Sequence, residues 1–387
     1  MRSGAFTSGG GTPIVADNID TLILNVKLRQ DFPLELAQQL DVLKEASQEA
    51  EEDLVTDFTF VGERLFIKPH GAGKQWRWIL HSPSLHLDAG LGKHTQIVAK
   101  ARLSAAYLWA TEIGDTLTQV YVFLTGLLGS EPFLQVSEAH LCVDIAGWEL
   151  AVADAAAFVT RGHRRGLRLE DEDETPRELQ INLNGRRCGT LDFSKGAAHS
   201  CVIYDKTKEI TVSRKDWMQE VWKRNGWDGE SRVTRVEFRY KRECLREMAV
   251  EEAYAFLDQI PSLWAYSTKQ WLRHTIPTTD RNKARWPRSP LWEAVQQATF
   301  FGDGVPAVRE RKTAGDLLLI CQMLAGCSTT ASALLTNALP PADDGTHFLI
   351  WFMTWLEGYL EQKGVSYEDI TEAKRLKLGV VTQDVAA

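Results

Sequence analysis

Four strand-like segments of this sequence carry polar side chains at every second position. In "HLCVDI", His140, Cys142 and Asp144 alternate with Leu141, Val143 and Ile145. In "ELQINLN", Gln180, Asn182 and Asn184 oppose Leu179, Ile181 and Leu183. In "SCVIYDK", Ser200, Val202, Tyr204 and Lys206 oppose Cys201 and Ile203. In "RVEFRY", Arg235, Glu237 and Arg239 oppose Val236, Phe238 and Tyr240. Successive side chains of a strand point to opposite faces, so the apolar sets can pack on helices. The other face then collects His140, Asp144, Asn182, Tyr204, Lys206, Arg235, Glu237 and Arg239.

Two readings of that face are open. It can be a solvated sheet face, as many antiparallel sheets have. Its residue types speak against that: it carries Tyr, His, Asp, Asn and closely spaced Arg, and aspartate is a poor strand former. The second reading is phosphodiester chemistry. Asp144 and Glu237 on rigid strands can hold Mg²⁺ or Mn²⁺, which prefer oxygen ligands. His140 can join them as a ligand, orient a carboxylate, or simply be a satisfied strand histidine. Lys206, Arg235 and Arg239 can stabilise a five-coordinate phosphorus. Tyr204 can be the nucleophile, or a plain sheet aromatic. A free phenol has a pKa of about 10, so a reactive Tyr204 needs a cation or metal beside it.

The elements that must position these residues follow from pattern and punctuation. "TLILNVKL" reads as a strand, "FPLELAQQLDVLKEA" as a helix with Pro33 near its start, and short strands follow around Phe58, Leu65, Trp78 and Ile97. The order then repeats: "HLCVDIAG" as strand, "WELAVADAAAFVT" as helix, a meander with Asn184-Gly185 and Lys195-Gly196 turns, the strand "RVTRVEFRY", and a helix from Glu243 to Leu257. The expected class is α+β: two similar halves of antiparallel sheet packed on helices, followed by a helical C-terminal region. The expected division is a flexible N-terminus (1–18), a first half (19–130), a second half carrying the catalytic face (131–260), a basic connector (261–290) and a helical region (291–387). The apolar set Phe348, Ile350, Trp351, Phe352 and Trp355 in that last region predicts self-association, as a homodimer, or a cap on the core.

The formal charge of −8 and pI of about 5.7 argue against a generic polyanion binder, but base dominates from about Lys206 to Arg288. Within the connector, "RNKARWPR" offers Arg281, Arg285, Trp286 and Arg288 for a phosphate strand and a stacked base, with Asn182 a further DNA contact. The alternative is a connector whose tryptophan plugs the core. None of the six cysteines forms a C-x-x-C pair, which argues against zinc and for reduced thiols in the cytoplasm. No signal peptide is visible, and "FLIWFMTWL" is too short to span a bilayer, so no membrane role is expected. No nucleotide-binding pattern occurs, so duplex unwinding would fall to a separate helicase.

The segments "HLCVDIAGW", "GTLDFSKGAAHSCVIYDKTKE" and "RVTRVEFRYKRE" resemble the Rep_trans (MOB_T) replication initiators and relaxases of Gram-positive plasmids, phages and conjugative elements. The resemblance covers roughly residues 137–293. In that family the tyrosine of a Y-[DE]-K motif nicks one DNA strand, becomes joined to the 5′-phosphate and leaves a free 3′-hydroxyl. The resemblance gives Tyr204 that role and suggests Asp144 and Glu237 as acids of a metal site. Lys206 and Glu209 fill the rest of the Y-D-K-x-x-E pattern. The implied partner is DNA at an origin, single-stranded or in an extruded hairpin. His140 stands where many relatives have arginine, and "LRLEDEDETPR" is an unusual insertion. The rival functions are a non-catalytic DNA-binding protein of the same fold and a metal nuclease that uses water.

Overall fold

The computed structural model describes residues 14–92, 96–161, 180–184, 187–309 and 346–378, with Cys321, Leu324 and Cys327. The insertion 167–177 lies outside them, as does nearly all of the apolar pattern from 314 to 339. The chain divides into two compact units, residues 1–309 and 310–387.

The first unit is organised by one sheet of eleven antiparallel strands. Its first half runs β1 (Ile14–Lys27), α1 (Leu34–Ala50), β2 (Leu54–Phe60), β3 (Glu63–Ile67), β4 (Trp78–His81), β5 (Leu85–Ala89), β6 (Ile97–Leu103), α2 (Ala105–Ala110) and α3 (Ile113–Leu128). Its second half runs β7 (Phe133–Ala146), α4 (Val152–Ala157), β8 (Phe158–Thr160), β9 (Gln180–Asn184), β10 (Arg187–Phe193), β11 (His199–Asp205), α5 (Lys206–Ser213), α6 (Trp217–Arg224), β12 (Val233–Lys241), α7 (Arg242–Glu247) and α8 (Ala253–Ala265). The strand order is β2-β3-β4-β5-β6-β1-β7-β12-β11-β10-β9. The halves meet where β1 and β7, fourteen residues each, pair antiparallel. In both halves the last long strand, β6 or β12, returns to pair with the first.

Alternation decides what each face buries. Leu22, Leu24, Val26, Leu141, Val143, Ile145, Val236, Phe238, Cys201 and Ile203 face one continuous core with residues of α1, α3 and α8. A smaller core of Val15, Ala16, Ile210, Met218, Trp222, Trp227 and Val233 seats α5 and α6 on the other face, over one end of β1. Asp205 starts α5: its carboxylate accepts from Lys208 N at 3.0 Å, an N-cap that ends the strand one residue after Tyr204.

Three expected boundaries move. The strand β1 begins at Ile14, within the segment expected to be flexible, because Val15 and Ala16 are buried under α6. The expected limit at residue 260 falls inside α8, whose Pro261 does not end it. The expected basic connector is folded: a π-helical turn (266–271) leads to β13 (Leu272–His274), which pairs with β8, and a hairpin brings Thr275 to Arg288 before α9 (Pro290–Gln296). Trp264, Trp271 and Trp292 are buried beneath the sheet, and these three anchors fold the segment despite its charge.

In the second unit, helices Thr346–Lys363 and Tyr367–Leu378 are described. Phe352, Trp355 and Tyr359 stack along the first of them, and Leu349, Ile350 and Met353 stay exposed. Among the described residues no helix is long and apolar enough to cross a membrane.

Candidate active site

The register brings the expected residues into adjacent rows on the sheet face opposite the main core. One row runs Asp144 on β7, Arg235 on β12, Tyr204 on β11 and Thr190 on β10. The next runs Cys142, Glu237, Val202 and Asp192, and the one after it His140, Arg239 and Ser200. Asn182 on β9 continues the row of Tyr204 through Thr190; its side chain lies outside the described residues.

Tyr204 and Glu237 are joined. The Tyr204 hydroxyl donates to Glu237 Oε2 at 3.0 Å. Glu237 Oε1 accepts from Arg239 Nε at 2.7 Å and faces His140 Nδ1 at 3.2 Å. His140 Nε2 lies 2.8 Å from Glu138. Burial opposes the Glu237 charge, but His140, Arg239 and Arg235 outweigh it and hold the carboxyl well below the usual range. Burial, then the Glu237 charge, pushes the Tyr204 phenol well above its ordinary range, against the pull of Arg235. A neutral phenol therefore faces an ionised carboxylate. Burial also opposes the His140 imidazolium, and hydrogen bonds to Glu138 and Glu237 overcome it and raise that pKa.

Lys206 is not aimed at the hydroxyl. As the first residue of α5 it is buried, with Nζ 2.5 Å from Glu209 and 5.6 Å from the centre of the Tyr204 ring. The Y-D-K-x-x-E pattern thus reads as a phenol, a helix cap, and an ion pair that covers one side of the ring.

Asp144 and Arg235 are a different assembly from the one expected. Both are fully buried, and Arg235 donates from Nε and Nη2 to the two oxygens of Asp144 at 2.6 and 2.8 Å. Trp222 Nε1 of α6 donates to Asp144 Oδ2 at 2.8 Å. Arg235 Nη1 donates to Asp20 at 2.6 Å, and its guanidinium lies 5.4 Å from the Trp109 ring centre. Arg235 is therefore a buried cation bound to one carboxylate from each half of the sheet, not a cation presented to phosphate. Arg239, with a side chain 38% exposed, is the arginine that reaches solvent beside Glu237.

The metal set Asp144, Glu237 and His140 does not fit this geometry. Both oxygens of Asp144 are occupied by Arg235 and Trp222, and each nitrogen of His140 faces a carboxylate. Among the described residues no three His, Cys, Asp or Glu side chains converge as a metal-holding group.

The connector residues lie on the hairpin that follows β13. Arg281 and Arg285 are exposed. Trp286 Nε1 donates to the Asp280 carbonyl at 2.7 Å, and Lys283 lies 5.6 Å from its ring centre. Arg288 donates to Gln296 at 2.6 Å. Trp286 is half-buried and does not plug the core.

Sequence reasoning missed Asp20, Trp109 and Trp222, which complete the Arg235 assembly. Asp20 precedes the stretch read as a strand, and no helix was expected between Asp205 and Arg232. The amphipathic spacing of Met218 and Trp222 was the available signal. Tyr240, on the opposite face from Tyr204, is fully buried and hydrogen-bonds to the Leu263 carbonyl at 3.0 Å and to Ser267.

No family model matches the chain, and no curated protein matches it in sequence. Among solved structures, the chain is similar to a rolling circle replication initiator protein from Geobacillus stearothermophilus. The identity is 13%, the TM-score 0.39, and the likeness covers 76% of this chain and 99% of that one. So loose a likeness carries no argument about activity, and function has to be argued from the site.

Proposed function

We propose that this chain nicks and rejoins a DNA strand, as a replication initiator or relaxase, with Tyr204 as nucleophile. The observation that carries the reading is the hydrogen bond from the Tyr204 hydroxyl to an ionised Glu237, with Arg239 beside it at the surface. The phenol oxygen attacks phosphorus, and its proton passes to Glu237 late, once the forming O–P bond has made the hydroxyl acidic enough for so weak a base. The new bond is tyrosine O–P, the bond broken is P–O3′, and the departing 3′-oxygen takes a proton from water. Arg239, partly exposed beside Glu237, offsets the charge that gathers on the non-bridging oxygens. The phosphotyrosine link keeps the energy of the broken ester, so the reverse attack by the 3′-hydroxyl rejoins the strand without ATP.

The test is incubation of wild type and Tyr204→Phe with a panel of single-stranded oligonucleotides, followed by denaturing electrophoresis. Wild type should shift to a slower-migrating covalent adduct and Tyr204→Phe should not. Cleavage with no adduct would select hydrolysis by water, and binding with neither would select a non-catalytic DNA-binding protein.

A further inference from the structure

The first half of the sheet holds a counterpart of the Tyr204 row with different chemistry. Asn25 and Asp144 are each the twelfth residue of their fourteen-residue strands, β1 and β7. Asp144 pairs with Arg235, which pairs with Tyr204; Asn25 pairs with Lys100, which pairs with Asp88. Two residues further along the return strand, Glu237 has Arg102 as its counterpart. The first half thus lacks both the nucleophile and its carboxylate. Where the second half has an acid beside the tyrosine, it has an exposed arginine.

The cations of the two halves also differ in what they bind. Arg235 is bound to Asp144 and Asp20, and Arg239 to Glu237. Lys100 and Arg102 form no ion pair among the described residues, although Asp88 is Lys100's cross-strand neighbour; Asp88 instead bonds to His86 at 3.0 Å. Arg102 has His86 beside it on β5, and the same row passes through Ile23 and Glu138 to Lys241 on β12. These side chains share the sheet face of Tyr204. From β11 to β6 is four strand steps, or about 19 Å at ~4.8 Å each, a span of a few nucleotides.

We propose that Lys100 and Arg102 form a phosphate-holding site for the flank of the DNA strand cut at Tyr204, the first half being a non-catalytic copy that grips the same strand. This rests on the nicking reading above. Charge complementarity selects the occupant: unpaired cations on an open face suit a polyanion that must already reach Tyr204.

The test is anisotropy of a fluorescein-labelled thymidine homopolymer, titrated at several salt concentrations, with adduct formation on the oligonucleotide panel scored in parallel. The variant Lys100→Gln with Arg102→Gln should bind roughly tenfold more weakly, and its log–log salt slope should be shallower by about 1.4, at ~0.7 per lost phosphate contact. Tyr204→Phe should bind as wild type does. If the double variant melts below wild type, Arg102→Gln alone, at an exposed position, carries the comparison with about half the slope change. Wild-type affinity and slope in these variants, alongside a normal adduct, would overturn the flank site and leave the nicking reading standing. Absence of binding and of adduct in wild type would overturn both.

Discussion

The hydroxyl of Tyr204 lies 3.0 Å from Oε2 of Glu237, whose other oxygen is shared by Arg239 and His140. In the proposed reaction Glu237 takes the phenolic proton as the O–P bond forms. Glu237→Gln keeps the size of the side chain and removes the base. Adduct formation should fall by about 10²–10⁴ while oligonucleotide affinity stays near wild type. Quench-flow adduct yields and anisotropy on the same preparation check this; an unchanged adduct rate would remove Glu237 from the chemistry.

Asp144 should behave as a structural residue. Asp144→Ala leaves Arg235 buried with only Asp20 to balance it. Breaking a buried pair from one side costs about 3–5 kcal/mol. Urea denaturation should show a loss of that order, with adduct formation falling only as far as the folded fraction does. A stable, inactive Asp144→Ala would restore Asp144 to the reaction.

Tyr240 should not substitute for Tyr204. It is buried on the opposite face and spends its hydroxyl on Leu263 and Ser267. Tyr240→Phe should lose about 1–3 kcal/mol of stability through the partner left unsatisfied and retain wild-type adduct yield.

His140 should make stability fall on the alkaline side. Its pKa is raised in the fold by Glu138 and Glu237, against the effect of burial. Its contribution is complete below the ordinary histidine pKa of ~6.5 and is lost as pH climbs through the raised value. The melting-temperature gap between wild type and His140→Gln should therefore close between neutral and alkaline pH. The Glu138 and Glu237 carboxyls are both lowered, so a separate loss appears in acid, below the usual glutamate range. A gap that widens with rising pH would contradict the assignment.

Metal binding to the DNA-free protein should be weak, because Asp144 and His140 are already engaged by the chain's own groups. A ligand stabilises the fold it binds in proportion to RT ln(1 + [L]/Kd). Millimolar Mn²⁺ should leave the melting temperature unchanged. A rise abolished by His140→Ala would show that the set opens to hold the ion.

Much of this fold was legible because its strands alternate cleanly. Leu141, Val143 and Ile145 against His140, Cys142 and Asp144 divided correctly between core and site face, and so did Val236 and Phe238 against Arg235 and Glu237. The division into two similar halves followed from element order. That both halves share one sheet did not, because the pairing of β1 with β7 spans more than a hundred residues and leaves no local mark. Residue types gave Tyr204 and Glu237 their neighbourhood, but not the fate of Arg235. Whether a strand arginine meets solvent or a buried carboxylate depends on what lies over it, here α6 and Trp109. The connector misled because its charges suggested a loop, while Trp264, Trp271 and Trp292 decided its fold.

Arg235 takes one carboxylate from Asp144 in its own half and another from Asp20 in the other. A chain severed at the Gly129 turn between α3 and β7 would leave Arg235 and Asp144 together in one fragment, with Nη1 of Arg235 lacking its acceptor, and would leave Asp20 in the other without its cation. Each fragment supplies the partner that the other lacks, at this contact and along the β1–β7 pairing, so the two should reassociate when mixed. The same dependence means that a change at position 20 alters the half that carries Tyr204, so the two halves do not behave as separate modules.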